Sequence, residues 1–199
     1  MILHLASGNA HKAQELQRLA DVSPGWSQRQ LKVQATRHMP EVAEDTGTFI
    51  GNARKKAMAL QPVLPADSWI LADDSGVCVD ALAGAPGVES AYFAGPKCDP
   101  AANLAKLVAV LREVPDGQRR AHFRCVLLLL GPRGREQVFE GRCEGVLRRE
   151  PQGREGFGYD PIFQPDGFDR TYAELTAEEK NRISHRGRAW VALADWLAR

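Results

Sequence analysis

Hydrophobic positions along the chain follow two periods, one typical of strands and one typical of helices. The first six residues, MILHLA, form a short apolar run that predicts a buried strand. Helical spacing follows and predicts a helix from Ala10 to Ala20. The same spacing returns in a second predicted helix, whose apolar face is marked by Phe49, Ala53, Ala57 and Leu60. Between the two helices, residues 21–39 are polar and show neither period.

The middle of the chain predicts two strands around an acidic turn. The continuous apolar run 69–72 ends in Asp73 and Asp74, and residues 77–82, VCVDAL, alternate as a strand does. Ser75–Gly76 lies between these runs and is typical of a turn. We therefore expect the two carboxylates at a turn between two strands.

The second half of the chain predicts further helices and an antiparallel part of the sheet. Asp99 followed by Pro100 is typical of a helix start. Residues 125–130 form the most apolar run, the GPRGR after it predicts a turn, and EQVFEGRCEGVLRRE predicts return strands. Thr176 and Glu179 have the spacing of a capping box, with a last helix expected behind it. The mixture predicts an α/β fold with a mixed, curved sheet.

Composition and charge exclude several classes of protein. A chain of 199 residues can bury one core, so we predict a single domain over residues 1–199. A net charge of +1 without a block of like charges argues against a nucleic-acid polymer or a membrane surface as partner. No apolar run approaches the ~18 residues of a membrane span, and we expect a cytoplasmic protein. The four cysteines lack CxxC spacing and predict reduced thiols.

Residues 7–12, SGNAHK, join the first predicted strand to the first predicted helix. Unpaired backbone N–H groups and the positive end of the helix dipole meet at such a junction and favour a bound anion, for which phosphate is the obvious candidate. Gly8 permits close approach to the backbone, Asn9 can cap the helix, and Lys12 would meet the anion. A tight turn with a solvated lysine is the alternative, because the segment matches no standard phosphate-binding pattern.

Two acidic pairs predict a metal site. Glu44 and Asp45 precede the second helix, and Asp73 and Asp74 follow a buried strand. Carboxylates that converge from two such segments suit a hard cation such as Mg2+. Side chains alternate along an extended chain, so we expect one of Asp73 and Asp74 to face the metal and the other to accept hydrogen bonds. A solvated turn is the alternative, although burial of the pair is costly unless a cation binds there.

Two later segments have the chemistry to recognise a nucleotide base. In FGYDPIF, Phe157 and Tyr159 could stack on a purine while Asp160 contacts its edge, and simple core packing is the alternative. The segment EEKNRISHRG supplies donors for a base carbonyl or a phosphate, and a solvated basic helix start is the alternative, although it does not explain Gly187. These donors are Lys180, His185 and Arg186.

Six segments in order resemble one family of enzymes. They are SGNAHK, EDTG with FIGNARKKA, LADDSG, GAPGVESA, GFGYDPIF and EEKNRISHRG. Their order and spacing resemble those of the inosine triphosphatase (ITPase, Ham1-like) family along nearly the whole chain. Members hydrolyse the triphosphates of inosine, deoxyinosine and xanthosine to the monophosphate and pyrophosphate, which removes non-canonical purines from the nucleotide pool. The resemblance implies this activity, Mg2+ as cofactor, a two-lobed α/β fold around a long mixed sheet, and a homodimer.

The resemblance also implies roles for the residues that match the family's motifs. Asp74 would be the catalytic carboxylate and a metal ligand, and Glu44 or Asp45 would complete the metal site. The substrate-binding residues would be Ser7, Gly8, Asn9, Ala10, His11, Lys12, Ser75, Phe157, Gly158, Tyr159, Asp160, Lys180, His185 and Arg186. The chain departs from the family pattern in three respects: Ser7 stands where Thr is common, DTGTFIGNA is one residue shorter than usual, and Gly51 stands where Glu is frequent.

The expected reaction is attack of water on the α-phosphorus with pyrophosphate as the leaving group. Lys12 and the metal would offset phosphate charge while Asp74 orients or deprotonates the water. Donors at the base would accept the carbonyl at purine position six and leave adenine's amino group unpaired, but they do not explain how guanine is excluded. A phosphatase or pyrophosphatase for other nucleotides is the alternative enzyme, and a regulatory nucleotide-binding module is a further alternative.

Overall fold

Six strands and five α-helices form the regular structure of residues 1–23, 31–36 and 38–199, which this computed structural model describes. The strands are β1 (Ile2–Leu5), β2 (Lys32–Ala35), β3 (Trp69–Val79), β4 (Arg120–Leu130), β5 (Glu136–Leu147) and β6 (Phe163–Pro165). The helices are α1 (Ala10–Val22), α2 (Phe49–Leu60), α3 (Pro100–Val110), α4 (Ala177–Ile183) and α5 (His185–Leu197).

The strands form one mixed sheet, in the order β2-β1-β3-β4-β5-β6. β1 pairs in parallel with both β2 and β3, and β5 pairs antiparallel with β6. This arrangement confirms the predicted mixed sheet with an antiparallel part. The register pairs Leu3 with Trp69 and Leu5 with Leu71. The end of β1, where SGNAHK begins, therefore lies beside the part of β3 that precedes Asp73.

The chain divides into two compact units, each with its own core. Unit 1 comprises Met1–Asp74, Cys125–Gly141 and Arg186–Arg199, and unit 2 comprises Ser75–Arg124 and Arg142–His185. The core of unit 1 is built from β1, α1, β4 and α5, and it includes Leu5, Leu16, Leu127 and Trp190. The core of unit 2 includes Val77, Leu107, Phe123, Phe163 and Tyr172. The strands β3, β4 and β5 each contribute residues to both units.

Helix starts agree with the sequence prediction. The Asp99 carboxylate accepts backbone N–H groups at the start of α3, and Pro100 is the first helical residue. Thr176 and Glu179 form the predicted capping box of α4. The predicted apolar face of α2 is buried along its length: Phe49, Ala53, Ala57 and Leu60. The helical period and the capping residues therefore identified these elements correctly.

The structure contradicts the predicted turn at Ser75–Gly76. Trp69–Val79 is one uninterrupted strand, so Asp73 and Asp74 lie within β3. Gly76 serves close packing instead of a turn: a Cβ there would lie 2.1 Å from the carbonyl oxygen of Gly87. The backbone N–H of Val77 donates to the side-chain hydroxyl of Ser90 at 3.0 Å. The turn propensity of Ser-Gly is overridden by these contacts of an extended strand.

Two other segments differ from the sequence prediction. β2 lies within residues 21–39, which the hydrophobic pattern left without an element. Residues 24–30 and 37 of that segment are outside the described part of the chain. The stretch EQVFEGRCEGVLRRE forms a single strand, β5, instead of several return strands, because its buried and exposed positions alternate without a break.

Two further predictions from the sequence concern the cysteines and membrane-spanning segments. All four cysteines are free, and three of them are buried: Cys78, Cys125 and Cys143. This confirms the prediction of reduced, mostly buried thiols. Among the described residues, no helix has the length and apolar character that a membrane crossing requires.

Candidate active site

The loop SGNAHK turns β1 into α1 in unit 1. Asn9 caps the helix, because its Oδ1 accepts the backbone N–H of His11 at 3.0 Å and of Lys12 at 3.2 Å. The hydroxyl of Ser7 accepts the N–H of Asn9 at 3.1 Å. A Cβ on Gly8 would have no neighbour within 4 Å, so this side of the loop is open. The predicted cap is confirmed, and the loop presents a helix start that favours an anion.

Asp73 is the buried centre of one charge network in unit 1. Its Oδ1 lies 2.6 Å from Lys12 Nζ and its Oδ2 lies 2.7 Å from Arg186 Nε. Arg186, also buried, forms a second ion pair with Glu15. Burial opposes ionisation of Asp73, but the charges of Arg186 and Lys12 outweigh it and hold its pKa well below the usual value. Both carboxylate oxygens of Asp73 are therefore used in ion pairs, and one of them holds Lys12.

Asp74 points to a different network, as alternation along a strand predicts. Its Oδ1 lies 2.6 Å from Lys56 Nζ, which also lies 3.1 Å from Glu44 Oε2. Burial raises the pKa of Asp74 to about 6, because the attraction of Lys56 offsets only part of the lost hydration. Asp45 is exposed and pairs with Lys55 at 2.5 Å. The structure therefore brings Glu44, and not Asp45, to Asp74.

The two carboxylates at Lys56 are candidate ligands for Mg2+. The second oxygen of Asp74, Oδ2, is buried and has no hydrogen-bond partner among the described residues. Among the residues that the structure describes, no group of three or more His, Cys, Asp or Glu side chains is arranged to hold a metal ion. Sites for Mg2+ often use one or two carboxylates, with water and substrate phosphates as the other ligands. Glu44 and Asp74 fit a site of that kind.

A second cluster lies in unit 2 and involves the segment GFGYDPIF. Lys180 Nζ lies 2.7 Å from Asp160 Oδ2 and 5.2 Å from the centre of the Phe157 ring. The same carboxylate oxygen accepts the backbone N–H of Phe157 at 2.8 Å. Gly156, with φ +74°, leaves room for this contact, since a Cβ would lie 2.1 Å from Asp160 Oδ2. Asp160 therefore fixes both the aromatic loop and the lysine.

Tyr159 and His185, two other predicted nucleotide-binding residues, are buried within unit 2. Tyr159 is buried, and its hydroxyl donates to the carbonyl oxygen of Ser90 at 2.8 Å. His185 is buried and stacks on Phe123, with ring centres 4.6 Å apart and planes 11° apart. The structure thus does not place Phe157 and Tyr159 as an open pair of rings; core packing describes Tyr159. Ser75 lies in β3 directly after Asp74 and is half-buried.

Two charged residues of these networks escaped the sequence analysis. Lys56 lies on the apolar face of α2, three residues after Ala53, and only 8% of it is exposed. A lysine on an otherwise apolar helix face is a usable signal, because such a charge is buried only with a partner. Glu15, which pairs with Arg186, lies 171 residues from it along the chain, and no local pattern reveals that contact.

The fold and these networks define an α/β protein whose cations and carboxylates suit a phosphorylated substrate and a divalent cation. A sequence profile of the Ham1 family matches residues 3–196, and the chain belongs to this family.

Relatives and solved structures match the chain over nearly its whole length. A protein of Opitutus terrae named dITP/XTP pyrophosphatase is 62% identical over 199 residues, which cover 98% of each chain. Its namesake in Streptomyces coelicolor is 50% identical over 96% of this chain and 94% of its own. The structure of a HAM1 protein from Coxiella burnetii matches with a TM-score of 0.83 at 37% identity, covering 100% of this chain and 98% of the other. The Ham1 protein of Staphylococcus aureus matches with a TM-score of 0.82 at 34% identity and the same coverage.

Proposed function

We propose that the protein hydrolyses the triphosphates of non-canonical purines, ITP, dITP and XTP, to the monophosphate and pyrophosphate. The observation that carries this proposal is the group of Glu44, Lys56 and Asp74, in which Asp74 Oδ2 is buried and has no hydrogen-bond partner among the described residues. The names of the relatives, dITP/XTP pyrophosphatase, support the choice of substrate.

The residues of unit 1 have roles that follow from their contacts. Ser7, Gly8, Asn9, Ala10, His11 and Lys12 would bind the phosphate chain at the start of α1. Asp73 keeps Lys12 in place through its 2.6 Å ion pair, so the ammonium meets the phosphates in a fixed position. Glu44 and Asp74 would hold Mg2+, which when bound polarises the phosphate oxygens and neutralises part of their charge.

The proposed reaction forms one bond and breaks one. The oxygen of a water molecule bonds to the α-phosphorus, and the bond from that phosphorus to the α–β bridging oxygen breaks. Pyrophosphate leaves with the electron pair, and the proton of the water passes to Asp74. Burial raises the pKa of Asp74 above its ordinary value in the metal-free protein, which favours this carboxylate as a proton acceptor.

The residues of unit 2 would select the base. Phe157 offers a ring for stacking, and Lys180 offers a donor for the carbonyl at purine position six. Adenine carries an amino group there, which cannot accept this hydrogen bond. Gly158, Tyr159, Asp160 and Ser75 would shape this pocket, and His185 would line it. The base contact of Arg186 remains a prediction, since its contacts in the structure are carboxylates.

The first experiment measures products from a panel of nucleotides. Purified protein with Mg2+ would be incubated with ATP, GTP, ITP, dITP and XTP, and monophosphate, pyrophosphate and orthophosphate quantified. We expect monophosphate and pyrophosphate from ITP, dITP and XTP, with ATP and GTP largely unchanged. Orthophosphate would indicate a phosphatase, equal use of ATP would indicate another pyrophosphatase, and tight binding without products would indicate a regulatory module.

Substitution of Asp74 tests its catalytic role. Asp74→Asn removes the proton acceptor and a metal ligand while keeping the shape of the side chain. We expect turnover of ITP to fall by a factor of about 1,000 or more, since general base and metal contributions combine. Near-normal turnover by folded Asp74→Asn protein would contradict the assignment.

Glu44→Gln is expected to lose much more activity than Asp45→Asn, because of these two residues only Glu44 reaches Lys56.

Several broader properties belong to the same proposal. We infer that Mg2+ is the physiological metal, and that residues 1–199 act as one catalytic domain, because the match to the Ham1 family extends over residues 3–196. The homodimer that the family resemblance implies remains a prediction. A cytoplasmic location is favoured because free nucleoside triphosphates are found there.

A further inference from the structure

The loop that carries Glu44 is fastened to α2 by one buried amide. Asn52, a residue of α2 with no exposed surface, accepts two hydrogen bonds from Thr46 through its Oδ1. The Thr46 hydroxyl donates at 2.7 Å and the Thr46 backbone N–H donates at 3.2 Å. Both donors lie two residues beyond Glu44, so the position of this loop on the helix depends on Asn52.

Gly51 allows the threonine to approach the helix. A Cβ at residue 51 would lie 2.3 Å from Thr46 Oγ1 and 2.7 Å from Thr48 Oγ1, distances that no Cβ tolerates. Thr48 caps α2 by accepting the N–H of Gly51 at 3.1 Å. The loop is therefore closely fitted to the first turn of α2. This fit explains why residue 51 is glycine.

The same helix contacts Glu44 directly. Lys56 follows Asn52 by one helical turn and lies on the same buried face of α2. Its ammonium lies 3.1 Å from Glu44 and 2.6 Å from Asp74. One turn of α2 thus holds the loop through Asn52, and the next turn contacts the carboxylate that the loop presents.

A second buried asparagine shows how Asn52 differs from a purely structural residue. Asn103 on α3 also fastens a loop: its Oδ1 accepts the N–H of Ala94 at 2.6 Å and its Nδ2 donates to the carbonyl of Ala91 at 2.8 Å. Both ends of that amide are bonded. Asn52 uses only its oxygen, and its buried Nδ2 has no hydrogen-bond partner among the described residues. Such a group is costly in a residue kept for stability alone.

We propose that Asn52, acting through Thr46 and with Gly51 providing the space, is the positioning residue that sets Glu44 opposite Asp74 for binding of the divalent cation. This inference rests on the proposed function, since it assigns a supporting role around the proposed metal site. Residues that hold metal ligands in place from outside the coordination shell commonly affect metal affinity strongly.

The test measures binding of Mn2+, as a substitute for Mg2+, to the protein without nucleotide by electron paramagnetic resonance. Asn52→Ala removes the acceptor and Thr46→Val removes the donor of the hydrogen bond between the Thr46 hydroxyl and the Asn52 amide. Because Thr46 is exposed, we expect the Thr46→Val variant to fold. We expect each variant to bind Mn2+ about 10-fold more weakly, and Thr46→Ser, which keeps the hydroxyl, to bind as the wild type does. Gly51→Ala should weaken binding as well, because it displaces Thr46.

A double-mutant cycle and a matched control separate positioning from general damage. If both residues act through one bond, the double variant binds Mn2+ no more weakly than the weaker single variant. Asn103→Ala removes an equally buried loop-fastening amide and should lower thermal stability while leaving Mn2+ affinity unchanged.

Unchanged Mn2+ affinity in folded Asn52→Ala and Thr46→Val, or an equal loss in Asn103→Ala, would overturn the inference alone. Failure of the wild-type protein to bind Mn2+ would overturn both the inference and the proposed metal site.

Discussion

Asp73 and Asp74 are neighbours in the chain whose carboxyls have opposite ionisation behaviour. Asp73 faces two cations, Arg186 and Lys12, and despite complete burial its pKa is lowered. Asp74 faces Lys56 and the like charge of Glu44, and burial raises its pKa to about 6. Groups whose environments separate their pKa values often divide structural and chemical roles. Here Asp73 is suited to permanent charge and Asp74 to proton exchange.

The titration of Asp74 gives a prediction at this scale. In metal-free protein, a carboxyl resonance assigned to Asp74 by NMR should titrate near pH 6. Lys56→Met should move that midpoint to higher pH, because Lys56 favours the ionised form, whereas Lys55→Met, which removes an exposed lysine, should leave it in place. A midpoint near the ordinary value of 3.8 in the wild type would contradict the assignment.

The raised pKa of Asp74 also makes the free energy of unfolding depend on pH. Folded protein binds this proton more tightly than the unfolded chain does. Asp74 therefore contributes to the free energy of unfolding below its ordinary pKa of 3.8, and the contribution is lost as pH rises through about 6. Asp73 acts in the opposite direction: its contribution is present above its ordinary pKa and is lost only in stronger acid.

At the scale of elements, β3 shows how packing overrides local propensity. The sequence Ser75–Gly76 has turn chemistry, yet the strand continues through it. Gly76 lies against the carbonyl of Gly87 and the hydroxyl of Ser90, and that hydroxyl receives the N–H of Val77 at 3.0 Å. All four residues belong to unit 2. The glycine is required because another segment approaches the strand closely.

Substitution of this glycine tests the argument. A Cβ in Gly76→Ala would lie 2.1 Å from a backbone oxygen and 2.4 Å from Ser90 Oγ, so the 87–90 segment must move. We expect a loss of about 2–3 kcal/mol in the free energy of unfolding, measured by urea titration. Gly117→Ala, where nothing lies within 4 Å of the added Cβ, should stay within about 1 kcal/mol of wild type. Equal stabilities for the two variants would contradict the packing role of Gly76.

Some features of the fold and of the candidate site follow from local sequence patterns, and others depend on long-range contacts. The period of α2 and the caps at Asn9 and Asp99 are local, and they were predicted correctly. The opposite orientations of Asp73 and Asp74 also follow from local alternation. By contrast, the choice of Glu44 over Asp45 depends on how their loop meets α2, and the burial of Tyr159 depends on a core assembled from distant segments. Local patterns carry no information on such contacts.

At the scale of the whole molecule, two units share three strands. β3 begins in unit 1 and ends in unit 2, and β4 and β5 likewise contribute to both. Unfolding of one unit would break hydrogen-bonded strands that continue into the other. The division into units is therefore compatible with one cooperative structure and with the proposed single catalytic domain.

Intrinsic fluorescence can test this cooperativity, since the aromatic residues are distributed unevenly. Trp69, Trp190 and Trp196 belong to unit 1, whereas Tyr92, Tyr159 and Tyr172 belong to unit 2. Urea unfolding curves followed by tryptophan emission, tyrosine absorbance and far-ultraviolet circular dichroism should coincide. A tyrosine transition at a separate urea concentration would instead show two independently folding units.

The ion pairs of Arg186 join residues that the ribosome adds to the chain at very different times. Its partners Asp73 and Glu15 lie 113 and 171 residues earlier in the chain. A ribosome releases the chain from its N-terminus at roughly 5–20 residues per second, so these carboxylates emerge many seconds before the guanidinium that neutralises them. The charge network around Asp73 can be completed only when α5 has been made. A chain that ends before α5 still has Lys12 beside Asp73 but leaves this buried carboxylate without its second cation.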